Sequence, residues 1–350
     1  MVATAAHKSA ALKASTTAWL MLILASPLAA IAQTAAQFGL DTRPDNQSCL
    51  AVEPPNTASV ALERQFPNLS INNLTVLTQA PGDTSQWYFA TRDGLVGRFA
   101  NNQSASNFTT VMDIRGPVTV PPDGGLIQFI FHPNFPADSR AFVNYSVAAA
   151  DGVSEADIII SSVESTDGGL TFDPATEEIM IRWPRGRFHQ GGYMAFDNQG
   201  YLHVGIGDGT VQGDPNGNSQ NLGNFLGKIL RLDVDSARPY AIPADNPYAG
   251  SGGFPLEEIY AIGVRNPYRG DIDLVSGNEY IGDVGYRNRE EVSAVTRNAN
   301  LGWNIKEGFL CYSNQYGDCA DPTLVDPLLD YDHSGGNCAI IGGMFYRGTL

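Results

Sequence analysis

The stretch "FHQGGYMAFDNQGYLHVGIGDG", residues 188–209, sets His189 on a glycine-flanked corner, then gives a turn, a short apolar strand and Gly207-Asp208-Gly209. The turn former "DNQG" followed by an apolar run rich in β-branched and aromatic residues reads as strand, turn, strand. The same rhythm of aromatic, apolar strand, then Asp and Gly occurs in "QWYFATRDG" (86–94), "GYLHVGIGDG" (200–209) and "NEYIGDVG" (278–285). Each copy follows a turn-forming stretch: "PGDTS", "DNQG" or "LVSG". The intervals are compatible with multiples of a four-stranded unit of about 40 to 50 residues, the size of a propeller blade. A β-sandwich array has a similar texture.

Composition agrees with an all-β chain. Of 350 residues, 43% are hydrophobic, enough for a sizeable core, and 37 glycines with 21 prolines cut the chain into short segments. Helix signals are minor. In "NSQNLGNFLGKILRLDVD" (218–235) the spacing of Leu222, Phe225 and Leu226 is enough for one turn before a strand. The net charge of −16 argues against nucleic acid or an anionic membrane as partner. Most of the excess carboxylates read as solubility, with calcium ligation the sharper use for some.

The first residues read as a targeting segment. Lys8 and Lys13 precede an apolar run at Ala18–Ala25, and Ala30-Ile31-Ala32 offers a cleavage site. That run is shorter than the roughly 20 residues needed to span a bilayer, and no later stretch qualifies. The expected organisation is a signal peptide at 1–32, an N-terminal extension at 33–60 and one domain at 61–350, exported to the periplasm or the extracellular space. Export makes Cys49, Cys311, Cys319 and Cys338 candidates for disulfides. Cys311 and Cys319 flank a short loop that one bridge would staple, leaving Cys49 with Cys338, but four cysteines allow three pairings. Glycosylation sequons occur at Asn46, Asn68, Asn73, Asn102, Asn107 and Asn144.

His189 and Asp208 are the first candidate pair. A lone histidine in a β domain is most often a structural hydrogen-bonding residue, and Asp208 alone reads as a turn aspartate. Together on neighbouring strand ends they make a base whose tautomer a carboxylate fixes. In "EIYAIGVRNPYRG" (258–270), Arg265 and Asn266 follow an apolar strand, and Arg265 suits either an ion pair or a developing oxyanion. In "IGDVGYRNREEV" (281–292), the Gly285-Tyr286 turn beside Glu290 and Glu291 suits a calcium site or an ordinary acidic loop.

These motifs occur in one order with "DPNGNSQNLGNFLGKILRLDVD" (214–235), "IPADNPY" (242–248), "NLGWNIKEG" (300–308) and "GGMFYRG" (342–348). In that wording the sequence resembles the soluble quinoprotein glucose/sorbosone dehydrogenase family, with hedgehog-interacting-protein-like proteins as relatives. The resemblance runs from about Thr75 to the C-terminus and is strongest over residues 188–308.

The resemblance implies a six-bladed β-propeller that binds pyrroloquinoline quinone (PQQ) and calcium at the top of its channel. It casts His189 as the general base that takes the anomeric proton of an aldose, Asp208 as its orienting carboxylate, and Arg265 with Asn266 beside the reacting quinone carbonyl. Gly285 and Tyr286 match the positions whose carbonyls hold the calcium. "PPDGGLIQFIFHPNF" (121–135) matches an early-blade motif, with Asp123 where an amide or a glutamate near the cofactor is usual and His132 reading as structural. Phe188 replaces a polar residue of glucose-specific members, so glucose preference does not carry over. The family pattern continues past "GGMFYRG" into the part that clamps the carboxylates of PQQ, so the chain reads as a propeller truncated before its last blade or blades, with about four to five blades. An external acceptor, a quinone or a cytochrome, would take the electrons; no C-x-x-C-H haem motif occurs. The alternative is a non-catalytic propeller that binds protein or glycan. A calcium-dependent lactonase-type propeller fits the Gly285-Tyr286 backbone site less well.

Overall fold

The computed structural model describes residues 63–210, 213–313 and 315–347. The expected signal peptide and extension, Asn46, Cys49 and the last three residues lie outside them. From Arg64 onward the chain forms one compact unit.

Four antiparallel four-stranded sheets follow one another along the chain. The first holds β1 (Leu74–Thr78), β2 (Gln86–Thr91), β3 (Leu95–Ala100) and β4 (Thr109–Asp113). The second holds β5 (Gln128–Phe131), β6 (Arg140–Val147), β7 (Ala156–Glu164) and β8 (Asp173–Arg185). The third holds β9 (Met194–Phe196), β10 (Leu202–Ile206), β11 (Lys228–Leu232) and β12 (Ile259–Ile262). The fourth holds β13 (Pro267–Ile272), β14 (Glu279–Asp283) and β15 (Arg289–Val295); a small hairpin, β16 (Lys306–Glu307) with β17 (Leu310–Cys311), precedes its outer strand β18 (Leu329–Asp332). The first strand of each sheet lies against the first strand of the next, β1 on β5, β5 on β9 and β9 on β13. These are four consecutive blades of a β-propeller with β1, β5, β9 and β13 innermost.

The three sequence repeats are second strands: β2, β10 and β14. The fourth, β6, is "RAFVNYSV", and its Asp151-Gly152 comes only after three alanines, so the compact rhythm of the other three copies is broken there. Inner strands begin at Leu74, Gln128, Met194 and Pro267, further apart than the expected interval because of long strands in the second blade and long loops inside the third, at 207–227 and 233–258. The turn expected around Leu222 is a 3-10 turn slightly earlier, at Asn218–Gln220.

Three hydrophobic cores lie between neighbouring blades, and a smaller one packs Phe66 and Leu69 on Phe89 and Phe99 of the first blade. Val76, Phe129, Phe131 and Ile159 fill the space between the first and second. Phe142, Ile160, Val204 and Leu230 fill the next, and Tyr193, Ile229, Ile281 and Val295 the last. Burying one sheet face against another is what makes the blades mutually dependent. Polar ties add to it. His132 is buried, meets Asp235 at 3.1 Å through Nε2, and sits with Arg140, whose guanidinium bonds Asp138 and Asp235. This is the structural use expected of that histidine. Arg269 in β13 reaches across to the carbonyls of Thr75 (2.8 Å) and Ile127 (2.7 Å), tying the fourth blade to the first and second. Cys311 and Cys319 are bridged, and Cys338 is exposed. Asn144 is buried within β6, so its sequon is closed in the folded protein, whereas Asn68, Asn73, Asn102 and Asn107 are exposed. No helix among the described residues is long and apolar enough to cross a membrane.

His203 in β10 joins the third and fourth blades. Burial works against its charge, but the Glu279 carboxylate at 2.9 Å and Asp197 at 3.4 Å push its pKa up to about 9. A histidine raised in this way stabilises the fold fully below its unfolded pKa, about 6.5, and the contribution fades as pH rises through 9. Denaturant titrations should therefore show stability falling by about 2–3 kcal/mol between about pH 6.5 and 9.5. His203→Gln should flatten that slope; an unchanged slope would remove the assignment.

Candidate active site

In an up-and-down blade, two kinds of connection emerge on the same face: those that lead into an inner strand and those that leave a second strand. The candidate residues sit on both kinds. Asp123, His189 and the pair Arg265-Asn266 precede β5, β9 and β13; Arg92, Asp208 and Gly285 follow β2, β10 and β14. They converge on a cavity of about 490 Å³ whose lining includes Arg92, Asp123, His189, Arg265, Asn266 and Gly285. That volume lies within the range of about 300–1,000 Å³ typical of small-molecule sites.

Close backbone approach explains the glycines of the opening stretch. A Cβ on Gly207 would stand 2.2 Å from the carbonyl oxygen of His189, so the corner and the strand exit can pack only with glycine there. His189 itself has φ of 58°, a left-handed conformation that costs a non-glycine residue about 1 kcal/mol or more. Such strain persists only where surrounding contacts over-determine it.

Those contacts are specific. His189 Nδ1 meets Asp208 Oδ1 at 2.6 Å, and His189 Nε2 meets Arg265 Nη2 at 2.9 Å. A guanidinium can only donate and a carboxylate only accept, so the neutral ring carries its proton on Nδ1 and a lone pair on Nε2. Asp208 is fully buried. Its Oδ1 also accepts from the Thr210 amide (2.9 Å) and hydroxyl (3.1 Å), and its Oδ2 from Trp303 Nε1 (2.8 Å). Burial opposes its charge, yet His189 and Arg265 hold its carboxyl below the ordinary aspartate range. The Arg265 guanidinium lies over the rings of Tyr286 and Trp303, and its Nη1 donates to the carbonyls of Val284 and Gly285. Its Nε is buried without a partner among the described residues. Asn266 Oδ1 accepts from the Gly191 amide at 3.0 Å, pinning the glycine corner.

Asp283 accepts the amides of Arg265 (2.8 Å) and Asn266 (2.6 Å). Opposite it across the β14–β15 ladder stands Glu291. Burial, then the Asp283 charge, drive the Glu291 carboxyl well above its usual range, so Glu291 holds the proton of this pair. Glu290 accepts the Gly285 and Ile340 amides, both at 3.0 Å, and contacts His333 at 2.7 Å. Glu290 thus braces the turn at Gly285, Glu291 lies in the sheet opposite Asp283, and neither lines the cavity. Gly285 does line it, and a Cβ there would strike the Arg289 carbonyl at 1.4 Å. Glu307 Oε1 gathers the amides of Tyr286, Arg287, Asn288 and Arg289, with Asn288 Nδ2 on Oε2. Burial opposes the Glu307 charge, but those donors hold its carboxyl below the usual range.

Trp303, Thr210, Asp283 and Glu307 have no role in the sequence reading, although Trp303, Glu307 and Asp283 stand inside quoted motifs. The one available signal is that Asp283 occupies in β14 the place of the Asp in the other two repeats.

The profile described as "Glucose / Sorbosone dehydrogenase" matches residues 77–350. The chain belongs to that family. The HIPL2 protein of Arabidopsis thaliana is 29% identical over 296 residues, covering 68% of this chain and 42% of the relative. The aldose sugar dehydrogenase YliI of Escherichia coli is 26% identical over 190 residues, 54% of this chain and 48% of that protein. The chain spans less than half the length of these curated relatives. The PQQ-bound aldose sugar dehydrogenase from Streptomyces coelicolor superposes with a TM-score of 0.59 at 21% identity, covering 75% of this chain and 69% of that one. It shares the propeller fold.

Removing the indole donor leaves one oxygen of a buried carboxylate unbonded. Trp303→Phe should therefore cost about 1–3 kcal/mol in urea unfolding. Unchanged stability would mean that another group already satisfies Asp208 Oδ2.

Proposed function

We propose that this chain is an exported PQQ- and calcium-dependent dehydrogenase that oxidises aldose sugars at the anomeric carbon to lactones. The observation that carries the proposal is the buried Asp208–His189 pair with its lone pair on Nε2 at the cavity wall. An imidazole in that tautomer can take the proton of a sugar hydroxyl, and Asp208 stabilises the imidazolium that forms. Arg265, beside Nε2, offers a fixed cation to any oxygen that gains charge there. Asn266 holds the corner that aims the ring.

The residues fit the quinone. Guanidinium groups of Arg92 and Arg265 and the His189 imidazole border a cavity of small-molecule size, and Arg265 keeps an unbonded buried Nε. Bound PQQ would supply an electrophilic carbonyl that accepts a hydride, two electrons in all, from the sugar; an external quinone or cytochrome then reoxidises it. His189, Arg265, Asn266 and Asp123 would hold it. For calcium, the carbonyls of Gly285 and Tyr286 are the candidate ligands. The Gly285 carbonyl accepts from Arg265 Nη1, so a cation bound there would share that oxygen with the guanidinium. The domain bounds, with a signal peptide at 1–32 and the propeller from 61, belong to the same proposal.

The second reading is a non-catalytic propeller that binds protein or glycan. The likeness to the HIPL2 protein favours it, since that match covers more of this chain than the match to the aldose sugar dehydrogenase. Turnover separates the two. With PQQ, calcium, a dye acceptor and a panel of aldoses, the dehydrogenase reading expects dye reduction that His189→Gln abolishes while PQQ binding is largely kept. Arg265→Ala should lower turnover by about 10²–10³. Saturable PQQ binding with no dye reduction on any aldose would favour the binding module.

A further inference from the structure

Arg92 follows β2 on the first blade and lines the same cavity as His189 and Arg265. Its Nε donates to the Gly124 carbonyl at 2.6 Å and its Nη2 to the Pro121 carbonyl at 2.8 Å. Two bonds to one turn fix the plane of the guanidinium and leave Nη1 without a protein partner among the described residues. The same turn takes a second arginine. Arg185, fully buried at the end of β8, donates to the carbonyls of Gly186 (3.0 Å) and Pro122 (3.5 Å), and its Nε is unbonded among the described residues.

Neither arginine forms an ion pair with a carboxylate among the described residues. Asp123 and Glu155 are the acidic groups whose charges act on Arg185, while Arg92 opposes them; burial brings the Arg185 pKa down to about 10. Asp123 is exposed and is the one carboxylate among the described residues that line the cavity. A protein of net charge −16 thus keeps two arginines without a direct ion pair at one turn beside its cavity. Arg185 is buried and Arg92 half-buried, and a cation withdrawn from water without an ion pair is costly unless a ligand completes it. A planar guanidinium held on one edge and open on the other suits a carboxylate.

We propose that Arg92 binds a carboxylate of the ligand that occupies this cavity, with Arg185 behind the Pro121–Gly124 turn strengthening the positive field. This deepens the reading above and rests on it for the identity of the ligand. Two sources share the chemistry: a carboxylate of the quinone cofactor, or that of a sugar acid taken as substrate.

The test is calorimetric titration of the full chain and of Arg92→Gln and Arg92→Lys with three probes: PQQ with calcium, glucuronate against glucose on the PQQ-loaded protein, and benzene-1,2,4-tricarboxylate. Loss of one charge-assisted contact should weaken binding by about 10- to 100-fold. Weaker PQQ binding in Arg92→Gln, partly restored in Arg92→Lys, assigns the site to the cofactor. Weaker glucuronate binding with glucose and PQQ unaffected assigns it to an acidic sugar. If the native chain ignores PQQ yet binds the tricarboxylate through Arg92, the anion site stands and the quinone reading falls. Arg92→Gln with unchanged affinity for every probe, or a native chain that binds none, overturns the proposal. Should Arg92→Gln fail to fold, the Nε resonance of Arg92 in the native chain decides: it must shift on addition of the tricarboxylate.

Discussion

A carboxylate with no access to water holds the candidate site together. Asp208 is stable there because every direction around it supplies a donor: the imidazole of His189, the amide and hydroxyl of Thr210, and the indole of Trp303. These come from three separate stretches of chain, and its own amide donates to the Arg265 carbonyl at 2.8 Å, adding a fourth. A buried charge is tolerated only when its donors are complete. The position of His189 is therefore a consequence of how the third and fourth blades meet, and the strained backbone at His189 is held by the same contacts.

The blade topology decides which residues can meet. A four-stranded meander returns its second-strand exit and the start of the next inner strand to one face, so sequence separations of nineteen residues (His189 to Asp208) or 76 (His189 to Arg265) both close to hydrogen-bond distance. The spare polar groups on that face point inward because the blade faces are occupied by core. Glu307 carries the principle further: a hairpin after the fourth blade's third strand folds its carboxylate under four consecutive amides and so shapes the Gly285 turn at the cavity wall.

Much of this was legible in the sequence. Turn, apolar strand and Asp-Gly identify three second strands, and the glycines around His189 and Asp208 mark a close approach that a Cβ would forbid. The fourth second strand, β6, is buried along nearly its whole length and its Asp151-Gly152 stands three alanines beyond the strand end, so the rhythm that marks the others is lost. The acidic pair after Tyr286 shows how two adjacent carboxylates separate once they lie in a strand. Alternation in β15 turns Glu290 and Glu291 to opposite faces, where one braces a loop and the other stands opposite Asp283, its carboxyl pushed up by burial and by that charge. Trp303 escapes for a different reason: an indole reads as core from any one-dimensional pattern, and its donor matters only because the fold brings it to Asp208.

The charge distribution bears on what the cavity is for. A pure scaffold gains nothing from leaving cations unpaired, since arginine on an acidic protein finds counter-charges easily, as Arg140 and Arg231 do with Asp138, Asp235, Asp197 and Asp245. Arg92, Arg185 and Arg265 form no direct ion pair among the described residues, and each bonds backbone carbonyls near the cavity. Carbonyl dipoles orient a guanidinium without neutralising it, so the field of these three residues persists in the space they border. That space also holds an imidazole whose lone pair is already aligned. A cavity with a fixed positive wall and an oriented base is arranged for an anionic, proton-yielding occupant, and the same wall would repel a cationic one.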